Sequence, residues 1–171
     1  MLRDDIQAAS AAIRAAIERT DGPLPPTFLV EFLLRHWRVY LARLHAQHGA
    51  KSMLWHDAVA LTQQLLWSVS PKVTNAERAA LASALKSLLE GVREGARIAT
   101  VADEVQRVFF DDLSRWHLWL INPISNPMPA AAATQKSALD LGATLRLDTV
   151  DPRYRKIMDY LESDNIEEIA I

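Results

Sequence analysis

The chain has 171 residues, with 19 lysine and arginine side chains against 21 aspartate and glutamate side chains, and its formal net charge is −2. This balance gives no argument for nucleic acid as a partner, and the absence of cysteine excludes disulfides and thiolate metal sites. No apolar run approaches the roughly 18 residues of a membrane span, and the N-terminus carries acids where a signal peptide carries bases. We therefore expect a globular cytoplasmic protein without a membrane span.

Helical spacing of apolar residues predicts three helices in the first part of the chain. Residues 4–20 form the first, and a break rich in proline follows it. The second helix is predicted over 26–47, with Gly49 as its C-terminal cap and an apolar stripe wide enough for two neighbours. The third begins after Ser52 and ends before Pro71, because proline disfavours helical geometry in the preceding residue.

Two more helices are predicted in the region up to residue 121. The fourth starts with a capping box between Thr74 and Glu77, and Gly91 and Gly95 are expected to weaken its end. The fifth is given Thr100 as its N-terminal cap. Its predicted stripe consists of Val101, Val105, Val108, Phe109, Leu113, Trp116 and Leu120, interrupted by Asp112. The predicted fold is all-α: a compact bundle of about five helices.

Composition divides the chain into three predicted parts. Residues 1–121 form the helical bundle domain, and residues 122–150 form a linker with prolines and an alanine run, which we expect to be flexible. Residues 151–171 form a short, amphipathic, acidic C-terminal segment that begins with a predicted short helix. The apolar face of that helix is a candidate docking face, formed by Tyr154, Ile157, Met158 and Leu161.

The corner "WSVSPKVTNAE" between the third and fourth helices has a structural and a functional interpretation. In the structural one, Trp67 is buried, while Ser68 and Ser70 serve the loose backbone groups and Lys72 neutralises the helix C-terminus. In the functional one, Lys72 and the free amides that begin at Thr74 form a pocket for an anion. The structural interpretation is favoured, and the functional one stays open.

Several motifs resemble a bacterial family of unknown function, the domain-of-unknown-function family 1631. They are "LPPTFLVEFLLRHW", Trp55, "LLWSVSPK", "ERAAL" and "FFDDLSRWH", in this order over residues 24–120. Relatives in that family are usually much longer chains, so the resemblance implies one module or a shortened member. It also implies a bacterial cytoplasmic origin, and it supplies no catalytic residues.

Histidines raise the question of chemistry. Four of the five lie between His36 and His56, but no acid lies between Phe32 and His56 and no HExxH pattern occurs, so we predict no metal ion and no other cofactor. His117 lies in the resembling region, and we favour a packed, hydrogen-bonded histidine there over a general base. No other recognisable catalytic constellation occurs.

Charge is distributed unevenly along the chain. The acid-free stretch carries Arg35, Arg38 and Arg43, candidate contacts for an anion or a partner, whereas residues 148–171 carry seven acids and three bases. The bland interpretation is that these are solvated charges. A sharper one is that the acidic tail folds back over the three arginines and masks a binding face.

Two functions from different classes remain at this stage. The first is a non-enzymatic protein–protein interaction or adaptor domain with a protein partner of unknown identity, and a homo-oligomer is left open. The alternative is a small-ligand or anion-binding protein, or an unrecognised enzyme, that uses His117 or the start of the fourth helix at Lys72 and Thr74.

Overall fold

The computed structural model describes residues 3–20 and 22–129. In this part of the chain the regular structure is entirely helical, and the bounds are α1 (Arg3–Glu18), α2 (Thr27–Phe32), a π-helical turn (Leu33–Trp37), α3 (Arg38–His48), α4 (Met53–Val69), α5 (Asn75–Ile98) and α6 (Asp103–Ile121). Because α2, the π turn and α3 follow one another without a break, they form one long helix. The prediction of an all-α bundle of five helices is confirmed for the described residues. The predicted C-terminal helix and most of the predicted linker lie outside them.

The long second helix is the centre of the bundle. Its segments contact α1, α4, α5 and α6, so it is surrounded on several sides. At its middle the backbone N–H of Arg38 donates to the carbonyl of Leu33, five residues back, which is the π-helical pattern. Trp37 and Arg38 are both fully buried at this point. The wide apolar stripe of the sequence thus corresponds to a helix with little free surface.

Aromatic side chains join the central helix to α6. The rings of Phe32 and Phe109 stack with centroids 3.7 Å apart, and Phe28 meets Trp116 edge to face at 6.1 Å. Such pairs add to the free energy of burial because the ring quadrupoles are arranged favourably. This aromatic layer fixes the position of α6 against α2.

Helix starts follow their predicted caps at α4 and α5. The hydroxyl of Ser52 accepts from the amide of Trp55 at 3.1 Å. The hydroxyl of Thr74 accepts from the amide of Glu77 at 3.1 Å, while the Glu77 carboxylate accepts from the Thr74 amide at 3.0 Å. The capping box read from the sequence is therefore confirmed.

The expectation that Gly91 and Gly95 weaken the fourth helix is wrong, because α5 continues through both of them. A Cβ atom on Gly95 would lie 2.4 Å from Cζ3 of Trp37. At Gly95 α5 therefore approaches the central helix closely, and the absent side chain makes room for the indole.

Thr100 ends α5 and does not cap α6, contrary to the prediction. It has a φ of 56°, its amide donates to the carbonyl of Arg97, and the amide of Val101 donates to the carbonyl of Ala96, each at 3.0 Å. These two bonds form a Schellman motif, in which the residue after the helix takes a left-handed conformation. The fifth helix consequently starts three residues later, at Asp103.

The buried face of α6 is narrower than its predicted stripe. Phe109, Leu113, Trp116 and Leu120 are buried, but Val105 and Val108 are 37% and 47% exposed. Each residue of a helix is turned about 100° from the next, so Val108 points well away from its buried neighbour Phe109. Among the described helices none has the length and the apolar character needed to cross a membrane.

Candidate functional site

The corner between α4 and α5 is held together by hydrogen bonds to the last carbonyls of α4. The indole Nε1 of Trp116 donates to the carbonyl of Val69 at 2.8 Å. The hydroxyl of Ser68 donates to the carbonyl of Leu65, and that of Ser70 to the carbonyl of Trp67, each at 2.7 Å. The bonds to Val69 and Trp67 satisfy acceptors in the last turn of α4, where a helix leaves its carbonyls without intrahelical donors, whereas the carbonyl of Leu65 lies one turn earlier.

Trp67 does not fill the corner. Its side chain is 38% exposed, so the prediction of a buried Trp67 is wrong. Trp116 from α6 takes the buried place and is 2% exposed. The four flanking residues Leu65, Leu66, Ser68 and Val69 are all buried, so Trp67 occupies the remaining part of the helix circumference, which faces solvent.

Lys72 caps the C-terminus of α4. Its Nζ atom donates to the carbonyls of Trp67 and Ser70 at 2.7 Å each and to the hydroxyl of Ser70 at 3.0 Å. It also lies 4.6 Å from the centroid of the Trp67 ring. Burial lowers the pKa of the Lys72 ammonium to about 8, and the Glu77 carboxylate partly opposes this shift. Since an ammonium group has three N–H donors, these bonds occupy all of them.

The hydroxyl and the amide of Thr74 are likewise occupied by hydrogen bonds within the fold, both with Glu77. Besides the Thr74 amide, the Glu77 carboxylate also accepts from the amide of Val73, at 2.6 Å. These two backbone bonds lower the pKa of Glu77, so a negative charge stands at the start of α5. An anion approaching Lys72 and Thr74 would meet this charge and would find the Lys72 donors already used.

His117 is a packed histidine. It is 2% exposed, and its Nε2 lies 3.0 Å from the hydroxyl of Ser68. Because that hydroxyl gives its hydrogen to Leu65, the imidazole Nε2–H donates to Ser68. Burial, and then the charge of Lys72, lowers the pKa of His117 to about 4. The ring is therefore neutral near pH 7, and this burial keeps it away from any substrate in solution.

The three arginines predicted as contacts do not share a surface. Arg35 is exposed, whereas Arg38 is fully buried and its Nη1 donates to the hydroxyl of Ser10 at 3.3 Å. Arg43 is half-buried and donates to the carbonyl of Ile98 at the end of α5. The face that the acidic tail was expected to mask is therefore not assembled, because the extended burial of the central helix encloses Arg38.

The structure also reveals a pair that the sequence did not indicate. Oδ1 of Asp5 on α1 lies 2.6 Å from Nδ1 of His45 on α3, and the His45 ring meets Trp55 of α4 at a centroid distance of 5.0 Å. The two residues of the pair are 40 positions apart, so no local motif could have brought them together. Within the described residues no three histidine, aspartate or glutamate side chains are grouped as a metal ion requires.

A groove of about 480 Å³ opens beside the C-terminal half of α6. One wall is α2 and the other is the segment that follows α6, which folds back because Nδ2 of Asn126 donates to the carbonyls of Leu118 and Asn122, each at 3.0 Å. The lining residues are Phe28, Asp112, Arg115, Leu118, Asn126, Pro127, Met128 and Pro129. We refer to this cavity as the α2–α6 groove.

The α2–α6 groove is apolar with a few charges at its rim. Leu118 and Met128 leave 50% and 43% of their side chains exposed. Arg115 pairs with Asp111 at 2.8 Å. Asp112 accepts no hydrogen bond from the described residues, and burial raises the pKa of its carboxyl while Arg115 opposes the shift. The groove thus offers apolar contact and one carboxylate that a donor or a cation would stabilise.

Sequence analysis missed this groove. Two signals were visible: Asp112 interrupts an apolar stripe, and Leu118 lies outside that stripe on the same helix. Neither residue indicates a groove by itself, because its other wall comes from α2, about 90 residues earlier, and from the chain after α6.

Comparison with protein families gives a match over most of the helical body. A family model described as "Protein of unknown function (DUF1631) third domain" matches residues 3–114, which is more than half of the chain. No curated protein and no solved structure was found to match.

Proposed function

This chain belongs to the DUF1631 family, and we propose that it acts as a non-enzymatic interaction or adaptor domain that binds an amphipathic helix of a partner protein in the α2–α6 groove. The observation that carries the proposal is the groove itself, with an apolar lining open to solvent and with the Asp112 carboxylate, which accepts no hydrogen bond from the described residues. An amphipathic helix binds such a groove by placing its apolar face in it, with polar residues along the edges.

The composition of the groove supports a helix as its occupant. Phe28 supplies an aromatic side chain on the α2 wall, and the flexible side chain of Met128 can adapt to a partner's side chains. The family description, which names a third domain, also supports a module that works beside other domains.

The alternative of a ligand-binding protein or an enzyme has less support. Lys72 and Thr74 donate and accept within the fold, and His117 is enclosed by α4 and α6. For an anion to bind at this corner, the Lys72 bonds that hold the end of α4 would have to break. No observation on the described residues favours that event.

A pair of matched substitutions tests the proposal. Leu118 in the groove is 50% exposed, and Leu54 at the start of α4 is 51% exposed. Leu118→Asp and Leu54→Asp therefore place the same charge on equally exposed helical positions. We expect wild type and Leu54→Asp to capture the same protein from a lysate of the source organism, and Leu118→Asp to lose it. Equal recovery by all three chains would contradict the groove as the binding site.

A second copy of the chain is one of the partners that the experiment can identify. In that case gel filtration of the purified chain would show a dimer that Leu118→Asp dissociates and Leu54→Asp preserves. Circular dichroism of each variant would show that the helical fold is retained.

A further inference from the structure

We propose that residues 152–161 of this chain bind in the α2–α6 groove of the same molecule and compete there with the partner. The inference rests on the proposed function, to which it adds a first occupant of the groove and a means of regulation. Residues 152–161 lie outside the described part of the chain. Their sequence, the lining of the groove and the point at which the described chain ends support this binding.

The sequence of this segment suits an apolar groove. After Pro152 the residues Tyr154, Ile157, Met158 and Leu161 share one face of a predicted helix. That face repeats at the i, i+3, i+4, i+7 spacing with which amphipathic helices dock into grooves. An aromatic and three flexible or branched aliphatic side chains match the apolar lining formed by Phe28, Leu118 and Met128.

The chain that leads to this segment leaves the described part of the protein at the groove itself. Asn126, Pro127, Met128 and Pro129 form one wall, and Pro129 is the last described residue. The 22 residues 130–151 separate this wall from Pro152. A chain of that length in the flexible regime spans about 25 Å on average. The effective concentration of the segment at the groove is therefore on the order of 1 mM, and an intrinsic Kd of about 0.1 mM suffices for roughly 90% occupancy.

Charge complementarity selects an orientation. Asp112 in the groove accepts no hydrogen bond from the described residues and is partly removed from water. On the predicted helix Arg153 adjoins the apolar face, because it lies one turn before Ile157. Arg153 can thus reach Asp112 while Tyr154 and Ile157 enter the groove. Arg155 lies on the opposite flank and has no such carboxylate.

Disulfide trapping in the full chain tests the proposal, since the natural sequence contains no cysteine. The test variant is Leu118→Cys with Ile157→Cys. The control is Leu54→Cys with Ile157→Cys, because Leu54 is exposed to the same extent but lies at the start of α4. Under mild oxidation we expect the test pair to form an intramolecular disulfide at least about tenfold faster than the control pair.

The outcomes separate the occupants. A disulfide within one chain, at a rate independent of protein concentration, supports binding in cis. Equal rates for the two pairs, or no disulfide in either, would overturn the proposal. A cross-linked dimer would overturn it as well and would assign the groove to the tail of a second copy. Circular dichroism of the reduced variants shows that each chain has folded.

The charge pair provides an independent readout. Arg153→Glu should slow disulfide formation in the test pair by about twofold to fivefold, the range of a partly exposed ion pair. Arg155→Glu is the matched control and should leave the rate unchanged. Combining Arg153→Glu with Asp112→Lys should restore the rate. Equal slowing by Arg153→Glu and Arg155→Glu would contradict the proposed orientation.

One further comparison distinguishes this inference from the proposed function. Ile157→Asp with Met158→Asp should raise the apparent affinity for the captured partner about tenfold, because about nine of ten grooves are otherwise occupied. A disulfide within the chain without any Leu118-dependent partner would support the binding of residues 152–161 in cis but would end the proposed function and the competition with a partner. If a Leu118-dependent partner is found but its affinity does not change in the Ile157→Asp, Met158→Asp variant, the proposed function stands and the competition by residues 152–161 is overturned.

Discussion

Residues of the same type have opposite roles in this protein according to where tertiary contacts place them. Trp67 and Trp116 both lie in apolar helical sequence, yet Trp67 is 38% exposed beneath Lys72 and Trp116 is 2% exposed against the end of α4. The indole N–H of Trp116 also donates a hydrogen bond to the carbonyl of Val69. The corner therefore depends on a residue 47 positions away from the carbonyl that it satisfies.

Truncation of the two tryptophans should have unequal effects. Trp116→Ala should lower the free energy of unfolding by about 3–5 kcal/mol, because it empties a buried volume and leaves the Val69 carbonyl without its donor. Trp67→Ala should cost less, about 1–2 kcal/mol, because it removes a partly exposed side chain and its contact with the Lys72 ammonium. Urea unfolding followed by circular dichroism measures both values. Equal losses would contradict the assignment of Trp116 as the buried residue of the corner.

His117 should make the stability of the bundle depend on pH. Its pKa is about 4 in the folded chain against 6.5 for an ordinary histidine. Between these values the unfolded chain binds a proton that the folded chain excludes, so stability falls as the pH is lowered from about 6.5 to 4. The contribution of His117 over this window is about 3 kcal/mol at most.

Unfolding of His117→Gln at a series of pH values checks this expectation. The free energy of unfolding of the variant should change less than that of wild type between pH 7 and 4. His48 is exposed at the end of α3, so His48→Gln serves as the control and should follow the wild-type curve. A His117→Gln curve parallel to that of wild type would show that the protonation of His117 is not coupled to folding.

At the scale of the element, nearby residues determine where a helix ends, whereas the packing of a helix interior depends on residues of other helices. Ser52, Thr74 with Glu77, and Pro71 mark ends that the sequence located correctly, since each acts on backbone groups within four residues. Gly95 lies in a helix interior, where its meaning depends on Trp37 of another helix. From the sequence, Gly95 was expected to weaken the end of the helix, because glycine has a low helix propensity and its contact with Trp37 is not visible in the sequence.

The two glycines of α5 provide a matched test of helix packing. Alanine is favoured over glycine in a helix by about 1 kcal/mol. A Cβ at position 91 would meet the movable Cδ2 of Leu61 at 3.0 Å, whereas at position 95 it would overlap the enclosed ring of Trp37 at 2.4 Å. Gly91→Ala should therefore change stability by less than about 1 kcal/mol, and Gly95→Ala should cost about 1–3 kcal/mol. Thermal unfolding of both variants decides the point, and equal melting temperatures would contradict the close approach of α5 to Trp37.

At the scale of the whole molecule, the buried core extends further along the chain than the family match does. The match ends at residue 114, but Trp116, His117 and Leu120 are buried in the bundle. The core thus needs the last two turns of α6. The groove needs still more of the chain, since residues up to Pro129 form its wall.

Two truncations test where the folding unit ends. A chain of residues 1–129 keeps the described core and should show the helical circular dichroism and cooperative unfolding of a folded domain. A chain of residues 1–114 lacks Trp116, His117 and Leu120 and should not unfold cooperatively, because a loss of several kcal/mol is comparable to the stability of a domain. Cooperative unfolding of the shorter chain with an unchanged melting temperature would contradict this boundary.

The sequence by itself determined the helical class, the number of helices in the described region, most helix ends and the resemblance to the family. These properties depend on the spacing of apolar residues, on capping residues and on prolines, which act within about one helical turn. It also indicated that Lys72 caps α4 and that His117 is packed. Both roles could be inferred because Lys72 follows the helix end directly and His117 adjoins an apolar stripe.

Only the tertiary structure decided which tryptophan is buried, why α5 contains Gly95, that Arg38 leaves the surface, and that a groove opens beside α6. Each of these depends on contacts between residues roughly 30 to 90 positions apart in the chain. Helical periodicity states that a face is apolar, but it carries no information about which other helix covers that face, at what distance, and which part of it remains open to solvent.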